Sequence, residues 1–434
     1  MAQVVRLSTC NLNQWALDFD GNLARIKRSI ALARAAGSRF RTGPELEITG
    51  YGCEDHFLES DTMVHALECL AALLGEGYSD DLLVDIGLPL LHNGARYNVR
   101  ALCLNREILL IRPKLSLADD GNYREGRWFT AWRESRGLED YYLPAELRAV
   151  ARGGQRTAPM GIAALRLLDA TLAVETCEEL FTPSAPHIRA ALAGVDVLAN
   201  GSGSHHQLRK LNTRVDLMRE ATEKCGGVYL YANQKGCDGG RLYFDGCAMV
   251  MANGACLAQG AQFGLLDVEV LTAAVDLEPG RSKRSAQSSL GVQASAEPPL
   301  PMLPVDYALG GAPGSSAAAP APSSPPPGRM APTPPRPVAY VTPEEEIGRG
   351  PAAWLWDYLR RSGAGGYFLP LSGGADSAAT ASIVGVMCHM VCEAVAAGGE
   401  GGAAVLADVR RITKTPDFDL QAGPSHLANA IFHT

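Results

Sequence analysis

The chain has 434 residues, too many for one ordinary domain, and its 47% hydrophobic and 20% charged content excludes a largely disordered polymer. A formal net charge of −8 argues against an electrostatic nucleic-acid binder, and eleven scattered cysteines fit reduced thiols in a cytoplasmic enzyme better than a disulfide scaffold. The opening MAQVVRLSTCNLNQW lacks a charged head followed by an apolar core. The longest apolar stretch, 381–398, contains His389 and Glu393, so the chain reads as soluble, with no membrane contact.

Residues 1–283 have the texture of one α/β domain. Short β-rich runs at 4–10, 83–88, 97–104, 107–111, 195–199 and 228–232 alternate with helical patterns at 22–36 and 208–224. Asn105-Arg106 is a hairpin-length connection and Asn253-Gly254 a second turn signal, so the predicted sheet is mixed, with helices outside it. Residues 284–339 are dominated by Pro, Ala and Ser, and the expectation there is a disordered or polyproline-like linker. Structure is predicted to resume at Tyr340. Thr342-Pro343-Glu344-Glu345 is a helix start with a capping box, followed by a short buried strand in GYFLPL and a long helix from Ala378.

Three segments of the first domain hold polar groups that a plain core does not need. Glu45 ends an extended run in GPELEITGYG, Lys114 follows the apolar run 107–111, and Cys177 follows the apolar run 171–174. A cysteine at a helix start gains from the local positive potential, and a nearby lysine lowers its pKa further, so a thiolate is expected. A carboxylate within reach can take and return the proton of acyl transfer, and the lysine can stabilise an oxyanion. The plain alternative is a packing cysteine, a turn glutamate and a surface lysine. His205-His206 is no convincing metal pair, because adjacent side chains point apart, and no metal site is expected.

The second constellation is GYFLPLSGGADSAATAS, a strand, a Gly-rich loop and a helix. Two glycines let backbone N–H groups close on a phosphate, Ser372 and Ser377 add hydroxyls, and the helix start favours an anion. The closing GK[ST] of a Walker A loop is absent.

These residues carry a resemblance. Glu45, Lys114 and Cys177 with their flanks resemble the Glu-Lys-Cys triad of the nitrilase superfamily. The strings GPELEITGYGCEDHF, DGNYREGRWF, NGSGSHHQLRKLNTRVDL and YANQKGCDGGRLYFDGCAMV resemble the glutaminase domain of eukaryotic-type glutamine-dependent NAD synthetases. The resemblance implies a four-layer α-β-β-α sandwich that hydrolyses glutamine without a cofactor. Cys177 attacks the amide, Glu45 serves as base and then acid, Lys114 holds the oxyanion and Glu125 is a supporting carboxylate, while Tyr123, Glu178 and Ser204 match glutamine contacts.

SGGADS is similar to the pyrophosphate loop of ATP-adenylating enzymes, and with its flanks looks like the opening of the NAD synthetase domain. By match, Pro370, Leu371, Ser372, Gly373, Gly374, Ala375, Asp376 and Ser377 would contact ATP, with Mg²⁺, in amidating deamido-NAD by ammonia from the first domain. Family members continue well past such an opening, so residues 340–434 are expected to form an incomplete parallel α/β domain of the adenine-nucleotide α-hydrolase type. NAD synthesis by these residues alone is then doubtful. The resemblance also implies a homo-oligomer that binds glutamine, ATP and deamido-NAD. The other expectations are a nitrilase-type amidase for a different small amide, and an inactive subunit.

Overall fold

The computed structural model describes residues 3–310 and 330–434. Its N-terminal part is built around one curled mixed sheet, 16-stranded among the described residues. Strand Val4–Leu12 lies near the middle, parallel to Phe40–Thr42 and Val228–Gly236 and antiparallel to Val268–Asp276. Period-two alternation sends neighbouring side chains to different layers. Leu83 joins Val5, Leu7, Phe40 and Leu102 in a central core against Leu172, Val197, Val228, Leu230 and Val250. Val84, one residue on, packs outward with Ile86 and Val99 against Ile26 and Ile30 of helix Phe19–Ala35 and Leu70 and Leu74 of helix Ser60–Gly75.

On the opposite side, Tyr229, Tyr231, Met249 and Met251 pack against Leu211, Val215 and Met218 of helix Lys210–Cys225. Helix, sheet, sheet, helix is therefore the layer order, as expected. The turns expected at Asn105-Arg106 and Asn253-Gly254 both close hairpins, and all four residues have positive φ (50°, 65°, 50° and 88°), the geometry that matches strand twist.

Three strands change character along their length. Strand Val4–Leu12 becomes polar at Thr9 and Asn11, Val197–Ser202 at Asn200 and Ser202, and Val228–Gly236 at Asn233, Gln234 and Lys235, every one of these buried. Buried polar groups need partners, so these strand ends mark where a polar site is assembled.

The expected linker departs from its composition. Residues 284–310 contain the last turn of helix Glu278–Ala286, all of helix Ser288–Ala296 and strand Met302–Pro304, which pairs in parallel with Ala164–Arg166. A few anchors suffice to hold this stretch. The Tyr307 hydroxyl donates to Arg39 O at 2.8 Å under the Arg39 guanidinium, and Leu309 is buried in the central core. Thr333 N and Arg336 N donate to Ala274 O and Cys256 O, each at 2.8 Å, so residues beyond 330 also lie against the sheet. The Pro-rich run 311–329 lies outside the described residues.

Residues 340–434 hold four α-helices among the described elements, Pro343–Ser362, Ala375–Ala396, Gly399–Thr413 and Pro424–Ile431, rather than the two expected. The first starts at the Thr342/Glu345 capping box. The strand expected in GYFLPL shrinks to Tyr367–Phe368, paired in parallel with Phe432–His433, and Phe368 is exposed rather than buried. Helix Ala375–Ala396 is long and apolar enough to cross a membrane by length and composition, and it packs Val384, Met387, Cys388 and Val391 into a core with Trp356, Leu359 and Val409. Tyr243, Phe263 and Leu265 of the N-terminal part complete that core.

A polar seam joins the two parts. Asp357 accepts from Asn13 Nδ2 and Cys237 N, both at 2.9 Å, while Arg361 donates to Asn13 O at 2.7 Å and stacks over Trp15. Gly236, with φ +87°, sits in the seam where a Cβ would fall 2.0 Å from Asn13 Oδ1 and 2.3 Å from Asp357 Oδ2, so only glycine fits there.

Candidate active site

Glu45 sits in the turn after strand Phe40–Thr42, where the buried Arg100 donates to Gly43 O at 2.6 Å and Pro44 O at 2.8 Å while paired with Asp85. Its Oε1 accepts from Lys114 Nζ at 2.6 Å and Asn98 Nδ2 at 2.7 Å, and its Oε2 from Gly203 N at 3.1 Å. A Cβ on Gly203 would lie 2.6 Å from the Tyr51 ring, so glycine is what lets this N–H reach the carboxylate. Lys114 follows strand Glu107–Pro113 and also donates to Glu125 Oε1 at 2.8 Å. Glu125 opens the short helix Glu125–Trp128, accepts from Ala118 N at 3.1 Å and takes the Tyr51 hydroxyl as a further donor. Burial opposes the charge on Lys114, but Glu125 and Glu45 hold the ammonium above the usual lysine range.

Cys177 follows strand Thr171–Thr176 and opens the four-residue 3₁₀ turn Cys177–Leu180 with φ +42°. Glu179 ties this turn to the lysine strand, because its Oε2 accepts from Thr176 N at 2.6 Å and its Oε1 from Leu115 N at 2.5 Å and Arg112 at 2.7 Å. One buried carboxylate thus fixes the neighbours of Cys177 and Lys114 together.

The expectation of a preformed thiolate is corrected here. Burial and then Glu45 push the Cys177 thiol well above its ordinary range, and the Lys114 charge does not offset them. The cysteine is 2% exposed, and a single 3₁₀ turn supplies little dipole. The resting group is a neutral thiol beside a carboxylate able to receive its proton.

The expected recognition residues gather around this centre. The Tyr123 hydroxyl donates to Gly203 O at 3.2 Å and accepts from His205 N at 3.1 Å. Ser204 Oγ is buried without a hydrogen-bond partner and so is free to meet a ligand. Glu178 is half-buried, with burial pushing its pKa up against the pull of Lys114 and Lys210. Lys210, not foreseen from the sequence, lies 5.5 Å from the Tyr123 ring centre and 5.9 Å from that of Phe181, its pKa held down by burial. Tyr51, Asn98 and Gly203 were also not singled out, although Tyr51 and Gly203 lie inside the strings GPELEITGYG and NGSGSHH.

Next to this cluster a cavity of about 440 Å³ opens between the two parts, lined by His205, His206, Tyr243, Trp354 and Ile383 among others. His205 is buried with neither ring nitrogen bonded, and burial with the Lys210 charge pushes it down to about 4, so its imidazole is neutral. The segment 370–377 stands on the surface outside the buried cluster. Pro370 to Asp376 are exposed, Gly373 has φ +81°, and Ser372 Oγ lies 3.2 Å from Ser377 Oγ. Helix Ala375–Ala396 begins there with no side-chain cap on its first turn. Among the described residues no group of three or more His, Cys, Asp or Glu is placed to hold a metal ion.

A model of the carbon-nitrogen hydrolase family matches residues 6–285. The glutamine-dependent NAD(+) synthetase of Oryza sativa subsp. indica is 52% identical over 432 residues, covering 100% of this chain and 56% of that protein. The chain therefore spans little more than half the length of this curated relative. A glutamine-dependent NAD(+) synthetase from Cytophaga hutchinsonii superposes with TM-score 0.72 at 23% identity, over 98% of this chain and 58% of that one. The enzyme of that name from Acinetobacter baumannii, solved in complex with ADP, superposes with TM-score 0.63 at 19% identity, over 88% of this chain and 57% of that one. At these identities the superpositions speak for the fold alone.

Proposed function

We propose, from a chain that belongs to the carbon-nitrogen hydrolase family, that residues 3–283 hydrolyse glutamine and supply its ammonia to a glutamine-dependent NAD synthetase reaction. The observation that carries the reading is Lys114 Nζ held between Glu45 and Glu125, at 2.6 and 2.8 Å, beside a neutral Cys177. The 52% identity to a synthetase of this kind over the whole chain supports the choice of substrate.

In this reading Glu178 takes the α-ammonium of glutamine, Lys210 its carboxylate, and Ser204 and Tyr123 the atoms between. Cys177 Sγ attacks the carboxamide carbon as its proton passes to Glu45. Lys114 stabilises the oxyanion, helped by a backbone N–H near Cys177. The C–N bond breaks as Glu45 returns the proton to the leaving ammonia. Water then attacks the thioester, giving its proton to Glu45, and glutamate leaves as Sγ is reprotonated.

Ammonia would cross the cavity beside His205, whose neutral imidazole does not trap it as ammonium. The second step makes deamido-NAD and ATP into an acyl-adenylate and pyrophosphate, and ammonia then displaces AMP. The exposed Ser372–Ser377 loop fits a nucleotide's phosphates, with its glycines, hydroxyls and uncapped first turn. Asp376 is the single acidic side chain in 370–377, so Mg²⁺ would be held jointly by Asp376 and the phosphates rather than by a protein cage.

The test follows glutamate, ammonia and NAD together, with and without ATP and deamido-NAD, in the wild type and Cys177→Ala. Glutamate release abolished by the substitution is the expected result. Persistent hydrolysis in Cys177→Ala rejects the nucleophile, and the absence of NAD in the wild type confines the reading to the glutaminase half.

A further inference from the structure

Cys177 holds φ +42°, a left-handed conformation that a side chain with a Cβ adopts only when its surroundings impose it. Its backbone N–H is held by a side-chain amide. Asn200 Oδ1 accepts the Cys177 N–H at 2.9 Å and the Ser202 hydroxyl at 2.9 Å. Its Nδ2 donates to the Tyr229 hydroxyl at 3.0 Å and to Glu175 Oε1 at 3.3 Å. The amide has one productive orientation. Turned over, its NH₂ would face the Cys177 N–H, and its carbonyl would face the Glu175 carboxylate.

Glu175 is itself anchored. It takes the Tyr229 hydroxyl, His187 N at 3.0 Å and His187 Nδ1 at 3.2 Å, and both Asn200 and Glu175 are 1% exposed or less. The chain His187–Glu175–Asn200 therefore ends on the backbone of the nucleophile. Every member is spoken for, and none points to a ligand. The Cys177 N–H is also committed, so it cannot be the backbone donor to an oxyanion.

We propose that Asn200, locked by Tyr229 and Glu175, is the positioning residue that holds Cys177 in its left-handed conformation and so aims Sγ at the substrate carbon. The role rests on the glutaminase reading above for its chemistry but on this geometry alone for its placement. A residue of this kind acts on kcat and leaves recognition by Glu178 and Lys210 untouched.

The test uses the full chain with Asn200→Ala and Tyr229→Phe. It measures kcat, KM for glutamine, and the fraction of Cys177 sites that a diazoketone analogue of glutamine alkylates. Dividing rate by labelled sites removes the effect of misfolded molecules. In Asn200→Ala the rate per labelled site should fall about 10- to 100-fold with KM within about 2-fold of wild type. Tyr229→Phe keeps the acceptor and loosens its anchor, so a fall of about 3- to 10-fold is expected.

A wild-type rate per site in Asn200→Ala, or a loss confined to KM, overturns the proposal. If Asn200→Ala does not fold, Tyr229→Phe decides it, an unchanged rate per site being the refuting result. If the wild type itself releases no glutamate, the glutaminase reading has failed separately. The inference is then judged on Cys177 alkylation by iodoacetamide, which should be about 10-fold slower in Tyr229→Phe or Asn200→Ala, equal rates refuting it.

Discussion

Replacing Glu125 by Gln tests how Lys114 is held. The carboxylate receives three donors, Lys114 Nζ at 2.8 Å, the Tyr51 hydroxyl and Ala118 N at 3.1 Å, at a site 1% exposed. A glutamine has one acceptor oxygen. In either orientation of its amide, a buried donor is left without a partner, at a cost of about 1–3 kcal/mol, and a charge-assisted bond to Lys114 becomes a neutral one or is lost. Lys114 keeps Glu45 as its remaining carboxylate partner and moves toward it, away from the position of the oxyanion. Transmitted to the acylation step, a loss of about 2–3 kcal/mol lowers kcat roughly 30- to 150-fold. Because Glu178, Lys210 and Ser204 stand apart from this change, KM for glutamine should stay the same. Single-turnover glutamate release with rapid acid quench separates acylation from thioester hydrolysis. A kcat within about 3-fold of wild type, or a change carried wholly by KM, would refute the argument that Glu125 sets the position of Lys114.

Other consequences are as concrete. Burial pushes the Asp238 carboxyl up to about 7, although it accepts from Tyr51 N at 2.7 Å and Gly52 N at 2.5 Å. The unfolded chain releases that proton near pH 4, so between about pH 4 and 7 the folded state holds a proton that the unfolded state lacks, and stability falls as pH rises through that window. Asp238→Asn removes the dependence. In urea unfolding the wild type should lose about 2–4 kcal/mol relative to the variant between pH 4 and 8, and parallel curves would contradict the assignment. Asp357→Ala leaves Arg360, Arg361 and the Cys237 N–H without their shared acceptor in the seam. It should lower stability by about 3–5 kcal/mol and speed hydrogen exchange across 343–362, whereas Arg28→Ala, which removes an exposed pair with Glu400, should change it by less than about 1 kcal/mol. Equal effects of the two substitutions would reject the weight given to the seam.

Much of the fold was legible because its signals are local. The β-rich runs at 83–88 and 97–104, turns at Asn105-Arg106 and Asn253-Gly254, and the Thr342/Glu345 box each act over a few residues, and each is present in the structure. Where composition stood in for contacts, it misled. The stretch 284–310 is poor in large apolar groups, yet Leu300, Tyr307 and Leu309 dock into cores built by distant strands. The same limit explains the two helices after residue 398 and the two-residue strand at Tyr367, whose partners are non-local.

At the site, Glu45, Lys114, Glu125 and Cys177 could be named from their strings, and three of the four meet through direct bonds. Their electrostatics could not be read the same way. Whether the cysteine rests as thiol or thiolate depends on total burial and on two carboxylates arriving from residues 45 and 125. Asn98 lay outside the quoted strings, and Asn200 and Lys210, though inside NGSGSHHQLRKLNTRVDL, could not be singled out, because each gains its role only from a neighbour across the fold.

The central claim is that Cys177 carries the substrate acyl group. Wild-type protein mixed with glutamine, quenched in acid within milliseconds and mapped by mass spectrometry, should carry a γ-glutamyl adduct on the peptide containing Cys177, and Cys177→Ala should carry none. An unmodified Cys177 while glutamate accumulates, or an adduct on another residue, would contradict the account.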